Sequence, residues 1–264
     1  MKALRIQPGR VAELVLTGPG KGNAMGPDFW RELPEAMAAL EADDEVRAVV
    51  VHGEGRDFSY GLDLRGMAPT LMPFLAGKQK AKGRRKLLAF IHELQAAIDS
   101  VAKARMPVVA ALHGWCIGGG LDLASACDIR LASSDARISL REAQVAIVAD
   151  LGSLQRLPGI IGEGQTRELA YTARNVHAGE AERMGLVNRV FVDKEALLAG
   201  ARALAGQIAA NPPVVVEGIK QVMNHGADVS AGLEHVAVWN AAFLQSDALD
   251  EALAAFMQGR KPEY

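Results

Sequence analysis

A run of three glycines followed by three acidic residues is the part of this chain that suggests chemistry. The six residues are Gly118, Gly119, Gly120, Asp122, Glu142 and Asp150. A glycine-rich turn that opens a helix presents unpaired backbone N–H groups, which can bind a developing oxyanion. Carboxyl groups close to that oxyanion could move protons on a carbon next to a carbonyl. The residue types therefore suggest an enzyme that forms an enolate, although their spacing alone does not bring the three acids together.

Each of these residues also has a purely structural interpretation. The glycines allow a strand and a helix to pack closely. An acid in the first turn, as at Asp122, is favoured by the helix dipole whether or not it reacts. Glu142 alone fits a surface-loop acid, and Asp150 fits a helix N-cap or a turn. Because Asp150 ends an apolar run, we expect it to be partly buried, with a raised pKa.

Motifs of other site classes do not occur in the sequence. The glycines after Gly114 do not give the G-x-G-x-x-G spacing of dinucleotide-binding folds, and no P-loop Lys-Ser or Lys-Thr pair follows them. The Gly-x-Ser-x-Gly turn of α/β-hydrolases is not present. The six histidines and two cysteines show no metal-ligand spacing, so we predict no metal site. His113 precedes Gly114 in an apolar segment and is predicted to be a packed residue rather than a base.

Composition and charge indicate a globular cytoplasmic protein. The chain has 264 residues, 50% of them hydrophobic, a net charge of −2 and a pI of about 6.3. This small negative net charge gives no long-range electrostatic field that would attract nucleic acid. Cys116 and Cys127 lie in an apolar stretch and are predicted to be reduced core residues. No apolar run approaches the roughly 20 residues of a membrane span, and residues 1–5 do not resemble a signal peptide.

Strand and helix patterns alternate along the first 195 residues. Residues 3–17 alternate around Gly9 as in a hairpin. Further strands are predicted at 47–52, 107–112, 129–131 and 136–138. Helices are predicted at 27–40, 78–103 and 119–126, and loops at 18–23 and 55–63. Strands that alternate with helices predict an α/β fold with parallel strand pairing.

The composition changes near residue 195, after which the chain is rich in alanine and leucine and is predicted to be helical. We therefore expect a catalytic core over residues 1–195 and a helical segment over residues 196–264. The apolar tail at 233–256 fits packing on its own domain or against a neighbouring subunit, and the pattern does not decide between them. The basic residues at 78–86 fit a solvated helix face or a contact with the phosphates of an anionic ligand.

Seven segments, in this order and spacing, make the chain similar to the crotonase superfamily, also called the enoyl-CoA hydratase/isomerase superfamily. They are KGNAM at 21–25, FSYGLDL at 58–64, HGWCIGGG at 113–120, ACDIR at 126–130, QRLP at 155–158, AERMGLV at 181–187 and RKP at 260–262. The resemblance covers essentially the full length.

This resemblance implies a spiral α/β core of stacked β-β-α turns and a C-terminal helical trimerisation segment, in a homotrimer or a dimer of trimers. It implies an acyl-coenzyme A thioester as substrate, with no separate cofactor. The thioester oxygen would lie between the backbone N–H groups of Leu62 and Gly119. The substrate-binding positions that the resemblance implies are Lys21, Gly22, Ala24, Gly61, Leu62, Asp63, Leu64, Arg65 and Gly120.

Within the superfamily, the residue types at the three acidic positions distinguish the hydratases from the isomerases. Hydratases usually carry Glu at the positions of Asp122 and Glu142, and Gly at that of Asp150. This chain is similar instead to the Δ3,5-Δ2,4-dienoyl-CoA isomerases, which carry Asp, Glu and Asp. The resemblance implies that Asp150 removes a proton from C2 of a 3,5-dienoyl thioester and that Glu142 delivers one at C6. Asp122 would tune the ionisation of both.

Two other functions stay open at this level. One is a 2-enoyl-CoA hydratase of the same superfamily, against which the residue types at 122 and 150 argue. The other is a non-catalytic acyl-CoA-binding paralogue, against which the three intact acids argue. Tyr60 stands where a small residue is common, so it could narrow the acyl pocket or donate a hydrogen bond. A role in fatty-acid β-oxidation is a further expectation from the resemblance.

Overall fold

The computed structural model describes residues 1–18, 21–75, 81–224 and 246–258, together with the single positions 235, 238, 240, 260, 262 and 263. Strands in this part of the chain form two sheets. They are β1 (Leu4–Gln7), β2 (Val11–Leu16), β3 (Ala48–Gly53), β4 (Val108–Leu112), β5 (Trp115–Ile117), β6 (Ile129–Ser133), β7 (Arg137–Ser139), β8 (Val176–His177) and β9 (Arg189–Phe191).

Helices surround the two sheets. They are α1 (Pro27–Glu41), α2 (Leu64–Leu75), α3 (Ala81–Ala102), α4 (Gly119–Ala126), α5 (Ser153–Ile161), α6 (Glu163–Thr172), α7 (Ala178–Arg183), α8 (Lys194–Ala209), α9 (Pro213–Asn224) and α10 (Asp247–Gln258). A short 3-10 helix covers Glu142–Val145.

The chain moves repeatedly between the two sheets. The larger sheet has the order β1-β2-β3-β4-β6-β9, and the smaller one the order β5-β7-β8. After β3, each turn of the chain adds one strand to each sheet, first β4 and β5, then β6 and β7, with helix α4 between the pairs. Pairing is parallel from β2 to β9 in the larger sheet and between β5 and β7 in the smaller one. This confirms the predicted α/β core of stacked β-β-α turns.

The larger sheet is covered on both faces, as parallel sheets generally are. Every residue of β3 is buried, and its valines alternate between two hydrophobic clusters. Val49 and Val51 face the main core, to which α1 and α3 contribute. Val50 faces a second cluster, which is built with Leu197 and Ala201 of α8. The sheet is therefore a rigid support for the loops that follow its strands.

Most of the elements that the sequence patterns predicted are present. The hairpin is β1 and β2, the predicted helices correspond to α1, α3 and α4, and the predicted strands correspond to β3, β4, β6 and β7. Cys116 and Cys127 are buried free thiols, and His113 is a packed residue with 1% exposure. The His113 ring lies 3.0 Å from the carbonyl oxygens of both Gly53 and Arg56, and burial lowers its pKa.

Two elements near the site were missed by the pattern analysis. Helix α2 contains Pro69 and Pro73, which argue against a helix interior in a sequence. Strand β5 has only three residues, and the sequence analysis treated them as part of the segment that contains the glycine run. In the apolar run before Asp150, Val145, Ile147 and Val148 are exposed.

The C-terminal part is described only in pieces. Helix α8 packs on the larger sheet, and α9 is anchored by Lys220, whose ammonium group donates to Asp128 Oδ2 (2.8 Å) and to the carbonyl of Met106 (3.0 Å). Residues 78 and 80 of the basic cluster lie outside the described residues, as do positions 233, 234, 236, 237, 239 and 241–245 of the tail. The division at residue 195 and the trimerisation segment stay predictions. Within the described residues, no helix is long and apolar enough to cross a membrane.

Candidate active site

Two neighbouring strand ends bring the glycine turn and Glu142 together. Strands β5 and β7 pair in parallel, with Ile117 opposite Ser139, so their carboxyl ends lie side by side. The N–H of Gly118 donates to the carbonyl of Ser139 (3.0 Å), which ties the two outgoing turns to each other. A Cβ atom on Gly118 would lie 3.4 Å from Glu142 Oε1. Glu142 therefore lies directly beside the glycine turn.

The glycine turn is also in close contact with the loop that carries Leu62. Gly61 has a φ of +75°, and a Cβ atom there would lie 2.7 Å from the nitrogen of Gly119. Gly118 has a φ of +55°, which glycine adopts without strain. A Cβ atom on Gly119 would lie 3.6 Å from the nitrogen of Leu62. A side chain is excluded at Gly61, and the close approach there brings the N–H groups of Leu62 and Gly119 next to each other.

Gly119 is the first residue of α4, so its N–H has no acceptor within the helix. Among the described residues, no acceptor pairs with the N–H of Leu62 or of Gly119 outside the helices and strands. These two donors lie at the positive end of a helix, where they can bind an oxygen that gains negative charge.

Asp122 is the most deeply buried of the three acids, with 1% exposure. It lies in the first turn of α4, and its Oδ1 accepts a hydrogen bond from the N–H of Ser153 (2.8 Å). Burial raises the pKa of Asp122, the hydrogen bond from Ser153 opposes this shift, and the charge of Asp150 adds to it. Asp122 is thus a buried carboxyl group held by one strong donor.

Glu142 begins the 3-10 helix and is partly buried. Its Oε2 is buried and has no hydrogen-bond partner among the described residues. Burial, followed by the charge of Asp122, raises the pKa of Glu142 from 4.5 to about 7. A carboxyl group with this pKa carries a proton for much of the time at neutral pH, so it can act as a general acid.

Asp150 is exposed in the single chain, which corrects the expectation of a partly buried residue. Its carboxyl group nevertheless loses some contact with water, and this desolvation raises its pKa. Its backbone carbonyl accepts a hydrogen bond from Gln95 Nε2 of α3 (2.7 Å). The residues before it are exposed from Ala143 to Val148, with Ala146 in a left-handed conformation (φ 59°), and Ala149 is buried.

These groups line one cavity of about 150 Å³, which is called the catalytic cavity below. Its lining residues include all three acids and both predicted oxyanion positions. The full lining is Tyr60, Leu62, Leu64, Gly118, Gly119, Asp122, Arg141, Glu142, Val145, Ile147, Asp150 and Leu151. The structure therefore brings together the acids that their spacing along the chain left apart.

The other predicted substrate-binding residues lie around this cavity rather than in its wall. Lys21 and Arg65 are exposed cations on the surface. The side chain of Asp63 caps α2, because its Oδ1 accepts from the N–H groups of Arg65 (3.1 Å) and Gly66 (2.9 Å). Gly22 and Ala24 are half-buried. A Cβ atom on Gly120 would lie 2.8 Å from a backbone oxygen, so this glycine serves close packing.

Tyr60 lies between the predicted substrate loop and the catalytic cavity. Its ring covers Gly22, where a Cβ atom would lie 2.5 Å from the ring. Its backbone N–H donates to the carbonyl of Gly22 (2.8 Å). Burial, and then the charge of Asp57, raise the pKa of the Tyr60 hydroxyl. Tyr60 therefore forms part of the cavity lining, and its two predicted roles, narrowing the acyl pocket or donating a hydrogen bond, stay predictions.

The sequence analysis missed the apolar wall of the cavity. Val145, Ile147 and Leu151 line it, together with Arg141. The signal that could have found them is their position: Val145 and Ile147 lie between Glu142 and Asp150, and Arg141 and Leu151 are next to these two acids in the sequence. In the described residues no group of three or more metal-ligating side chains occurs. The described basic residues of the cluster, Lys82, Arg84, Arg85 and Lys86, are exposed on α3, which agrees with the solvated face.

The profile of one protein family, described as enoyl-CoA hydratase/isomerase, matches residues 7–264. The chain is 43% identical to a mitochondrial Delta(3,5)-Delta(2,4)-dienoyl-CoA isomerase of Dictyostelium discoideum, over 96% of this chain and 86% of the relative. It is 41% identical to a peroxisomal Delta(3,5)-Delta(2,4)-dienoyl-CoA isomerase of Arabidopsis thaliana, over 96% of this chain and 92% of the relative.

A solved structure of an enoyl-CoA hydratase from Bacillus anthracis has the same fold. It superposes with a TM-score of 0.88 and 28% identity, over 99% of this chain and 98% of that one.

Proposed function

The chain belongs to the enoyl-CoA hydratase/isomerase family, and we propose that within it the protein is an isomerase that converts a 3,5-dienoyl-CoA to the 2,4-dienoyl-CoA. The observation that carries this proposal is the meeting of three carboxyl groups with two backbone donors around one cavity. The similarity to two relatives named as Delta(3,5)-Delta(2,4)-dienoyl-CoA isomerases, along 96% of the chain, supports the same reaction.

Asp150 is the base that removes a proton from C2 of the substrate. Its raised pKa makes its carboxylate a stronger base than an ordinary aspartate. The electron pair of the C2–H bond enters the conjugated system, and negative charge collects on the thioester oxygen. Gln95 of α3 holds the backbone of Asp150 through a hydrogen bond of 2.7 Å, which fixes the base on an otherwise exposed loop.

The dienolate oxygen is bound by the N–H groups of Leu62 and Gly119. Both donors are held by the close approach of Gly61 to the glycine turn, so they need no rearrangement when charge develops. Loss of one such donor typically costs about 3 kcal/mol of transition-state stabilisation.

Glu142 is the acid that delivers a proton to C6. Its pKa of about 7 provides a protonated carboxyl group at neutral pH, next to the cavity. The proton from C2 goes to Asp150, and the proton from Glu142 goes to C6, so the product is an isomer of the substrate. Two distant carbons of one conjugated chain require two separated acid–base groups. Asp122 lies between them and raises the pKa of Glu142 through like-charge repulsion.

The remaining features of the proposal concern the rest of the substrate and the assembly. The coenzyme A portion lies along residues 21–24 and 61–65, where Lys21 and Arg65 offer exposed positive charge to its phosphates. Both proton transfers use the protein's own carboxyl groups, so no further cofactor takes part. A homotrimer or dimer of trimers, a cytoplasmic location and a role in fatty-acid β-oxidation are part of the same proposal.

The test is the ultraviolet absorbance of 3,5-octadienoyl-CoA with purified protein, since the 2,4-dienoyl product is conjugated with the thioester. We expect a rapid rise with the wild-type protein. Asp150→Asn should bind substrate with nearly unchanged affinity and lose at least about 100-fold in kcat. Asp44→Asn, the same change at an exposed loop position, is the matched control and should be fully active.

Isotope exchange separates the two proposed proton transfers. In D2O, Glu142→Gln should still exchange the C2 protons of the substrate, because Asp150 is intact, but should form little product. Asp150→Asn should lose both exchange and product. Hydration of crotonyl-CoA without isomerisation of the dienoyl thioester would contradict the proposal and favour the 2-enoyl-CoA hydratase.

A further inference from the structure

Arg141 and Glu142 are adjacent residues, and both line the catalytic cavity. Each carries a buried atom that has no hydrogen-bond partner among the described residues. These atoms are Nε of Arg141, which is a donor, and Oε2 of Glu142, which is an acceptor when the carboxyl group is ionised. A cation and an acid that would both gain from pairing therefore lie at one cavity without pairing. Other contacts of Arg141 must keep the two groups apart.

The indole ring of Trp115 provides one of these contacts. The guanidinium carbon of Arg141 lies 5.7 Å from the centroid of this ring, which is within the distance at which a cation is attracted to an aromatic face. Trp115 is the first residue of β5, the strand that leads into the glycine turn, and it pairs in register with β7. The sheet that positions the glycine turn therefore also fixes the ring against which the cation lies.

Two side-chain amides hold the rest of the guanidinium group. Nη1 of Arg141 donates to Gln144 Oε1 (3.1 Å), and Nη2 donates to Asn175 Oδ1 (2.8 Å). Gln144 lies in the 3-10 helix that Glu142 begins, and Asn175 directly precedes β8. Both acceptors are neutral. The cation is therefore held by an aromatic ring and two amides, none of which compensates its charge.

Among the described residues that line a cavity together with Glu142, Arg141 is the cation that could pair with it. Arg167 of α6 is engaged by two neighbours on its own helix. Burial raises the pKa of Glu142, and the negative charges of Asp122 and Asp150 add to this effect. In the described part of the chain, the ionisable residues that line a cavity with Glu142 are Tyr60, Asp122, Arg141, Asp150, Glu163, Arg167 and Tyr171.

We propose that Trp115 is a positioning residue, which holds the guanidinium group of Arg141 away from Glu142 so that Glu142 keeps the proton it delivers to C6. This inference rests on the proposed function, because it uses Glu142 as the acid. A guanidinium group that turned towards Glu142 would stabilise the carboxylate, and a carboxylate cannot protonate the dienolate. Activity near neutral pH then depends on an aromatic ring that does not itself line the catalytic cavity.

The experiment is the pH dependence of kcat with 3,5-octadienoyl-CoA for wild type, Trp115→Leu, Arg141→Met and the double variant. In wild type, kcat should fall on the alkaline side as Glu142, whose pKa is raised to about 7, loses its proton. Trp115→Leu should move this fall to lower pH by at least about one unit, because a cation within about 4–6 Å lowers the pKa of a carboxyl group by roughly one to three. Arg141→Met and the double variant should both show the alkaline fall at the wild-type pH.

The double variant separates positioning from a merely structural role. If Trp115 only supports local packing, Trp115→Leu lowers kcat at every pH and leaves the alkaline fall where it is, which would overturn the inference. A shift that persists in the double variant would also contradict it, since the charge of Arg141 would not be the cause. Arg137→Met is the matched control. Arg137 contacts the same ring (5.4 Å) but is exposed on β7 and does not line the cavity, so its variant should keep the wild-type pH profile.

A second route to the same result is needed if Trp115→Leu folds poorly. Gln144→Ala combined with Asn175→Ala removes the two amide acceptors at exposed positions. This pair of substitutions should move the alkaline fall of kcat in the same direction as Trp115→Leu. An unchanged alkaline fall in a folded protein would show that the amides do not restrain the cation and would count against the inference.

Urea unfolding reads the ionisation of Glu142 without any turnover. In the wild-type background, Glu142→Gln should increase the stability more at about pH 8 than at about pH 5. In the Trp115→Leu background this gain at about pH 8 should fall by at least half, because Arg141 would compensate the ionised carboxylate. An equal gain in both backgrounds would overturn the inference. A reduced gain in a protein that turns over no dienoyl thioester would support the inference and show that the proposed function alone fails.

Discussion

Replacing Glu142 by Gln is expected to stabilise the folded protein at alkaline pH and to change its stability little at acid pH. Burial, followed by the charge of Asp122, raises the pKa of Glu142 from 4.5 to about 7. A carboxyl group with a raised pKa in the folded state favours folding at pH values below its unfolded-state pKa. This contribution is lost as the pH rises through the folded-state pKa. The window in which wild type loses stability therefore runs from pH 4.5 to about 7.

The size of the effect follows from the same two values. The difference between 4.5 and about 7 corresponds to about 3 kcal/mol, at roughly 1.4 kcal/mol for each pKa unit. This is an upper value, because the side chain keeps some exposure to solvent that screens its charge. We expect Glu142→Gln to exceed wild type by roughly 1 to 3 kcal/mol at about pH 8 and by less than about 1 kcal/mol at about pH 5.

Urea unfolding of both proteins, at several pH values and at one fixed protein concentration, measures this difference. The concentration is held constant because subunit association would add its own free energy. Asp44→Asn, at an exposed position, controls for the loss of one negative charge. A gain for Glu142→Gln that is the same at pH 5 and pH 8 would show that ionisation of Glu142 carries no cost in the folded state. The argument that Glu142 is a proton donor at neutral pH would then also fail.

Three further changes test the parts that support the site. Gly61→Ala places a methyl group 2.7 Å from the nitrogen of Gly119, so kcat should fall by about 100-fold in steady-state kinetics. Gln95→Leu removes the hydrogen bond to the carbonyl of Asp150; kcat should fall about tenfold with KM nearly unchanged, and an unchanged kcat would remove Gln95 from the positioning of the base. Lys220→Met breaks the partly buried ion pair between Lys220 and Asp128 that anchors α9 and should lower the free energy of unfolding by about 2 kcal/mol in urea.

Local sequence patterns were sufficient to predict some of the supports of the site. Strand β4, the glycine turn at Gly118 and helix α4 follow from an apolar run and from glycines, which act through neighbouring residues, whereas β5 and α2 were missed. The meeting of Asp122 with Glu142 does not follow from such patterns, since it depends on the parallel pairing of β5 with β7. Parallel pairing joins strands that are distant in the chain, and the resemblance to a known family supplied what the local pattern did not.

The loop between Glu142 and Asp150 shows what a single sequence cannot give. Asp150 was expected to be partly buried because it ends an apolar run, yet Val145, Ile147 and Val148 of that run are exposed in the single chain. An apolar residue is buried only if another element covers it, and the φ of 59° at Ala146 is not visible in a single sequence. Two of these exposed side chains, at 145 and 147, line the catalytic cavity, where the proposed substrate would cover them. Helix α2 was missed for a different reason, because prolines oppose a helix locally and tertiary packing overrides them.

Asp122 and Glu142 have different surroundings. Asp122 is buried and Glu142 is partly buried, and burial is the largest cause that raises the pKa of each. Asp122, however, accepts a hydrogen bond from the N–H of Ser153, the first residue of α5, and the positive end of that helix favours a carboxylate. Glu142 has an oxygen without a partner in the described part of the chain and faces the charge of Asp122. The hydrogen bond from Ser153 therefore opposes protonation of Asp122, whereas Glu142, whose pKa is raised to about 7, is the acid that the proposed proton delivery to C6 uses.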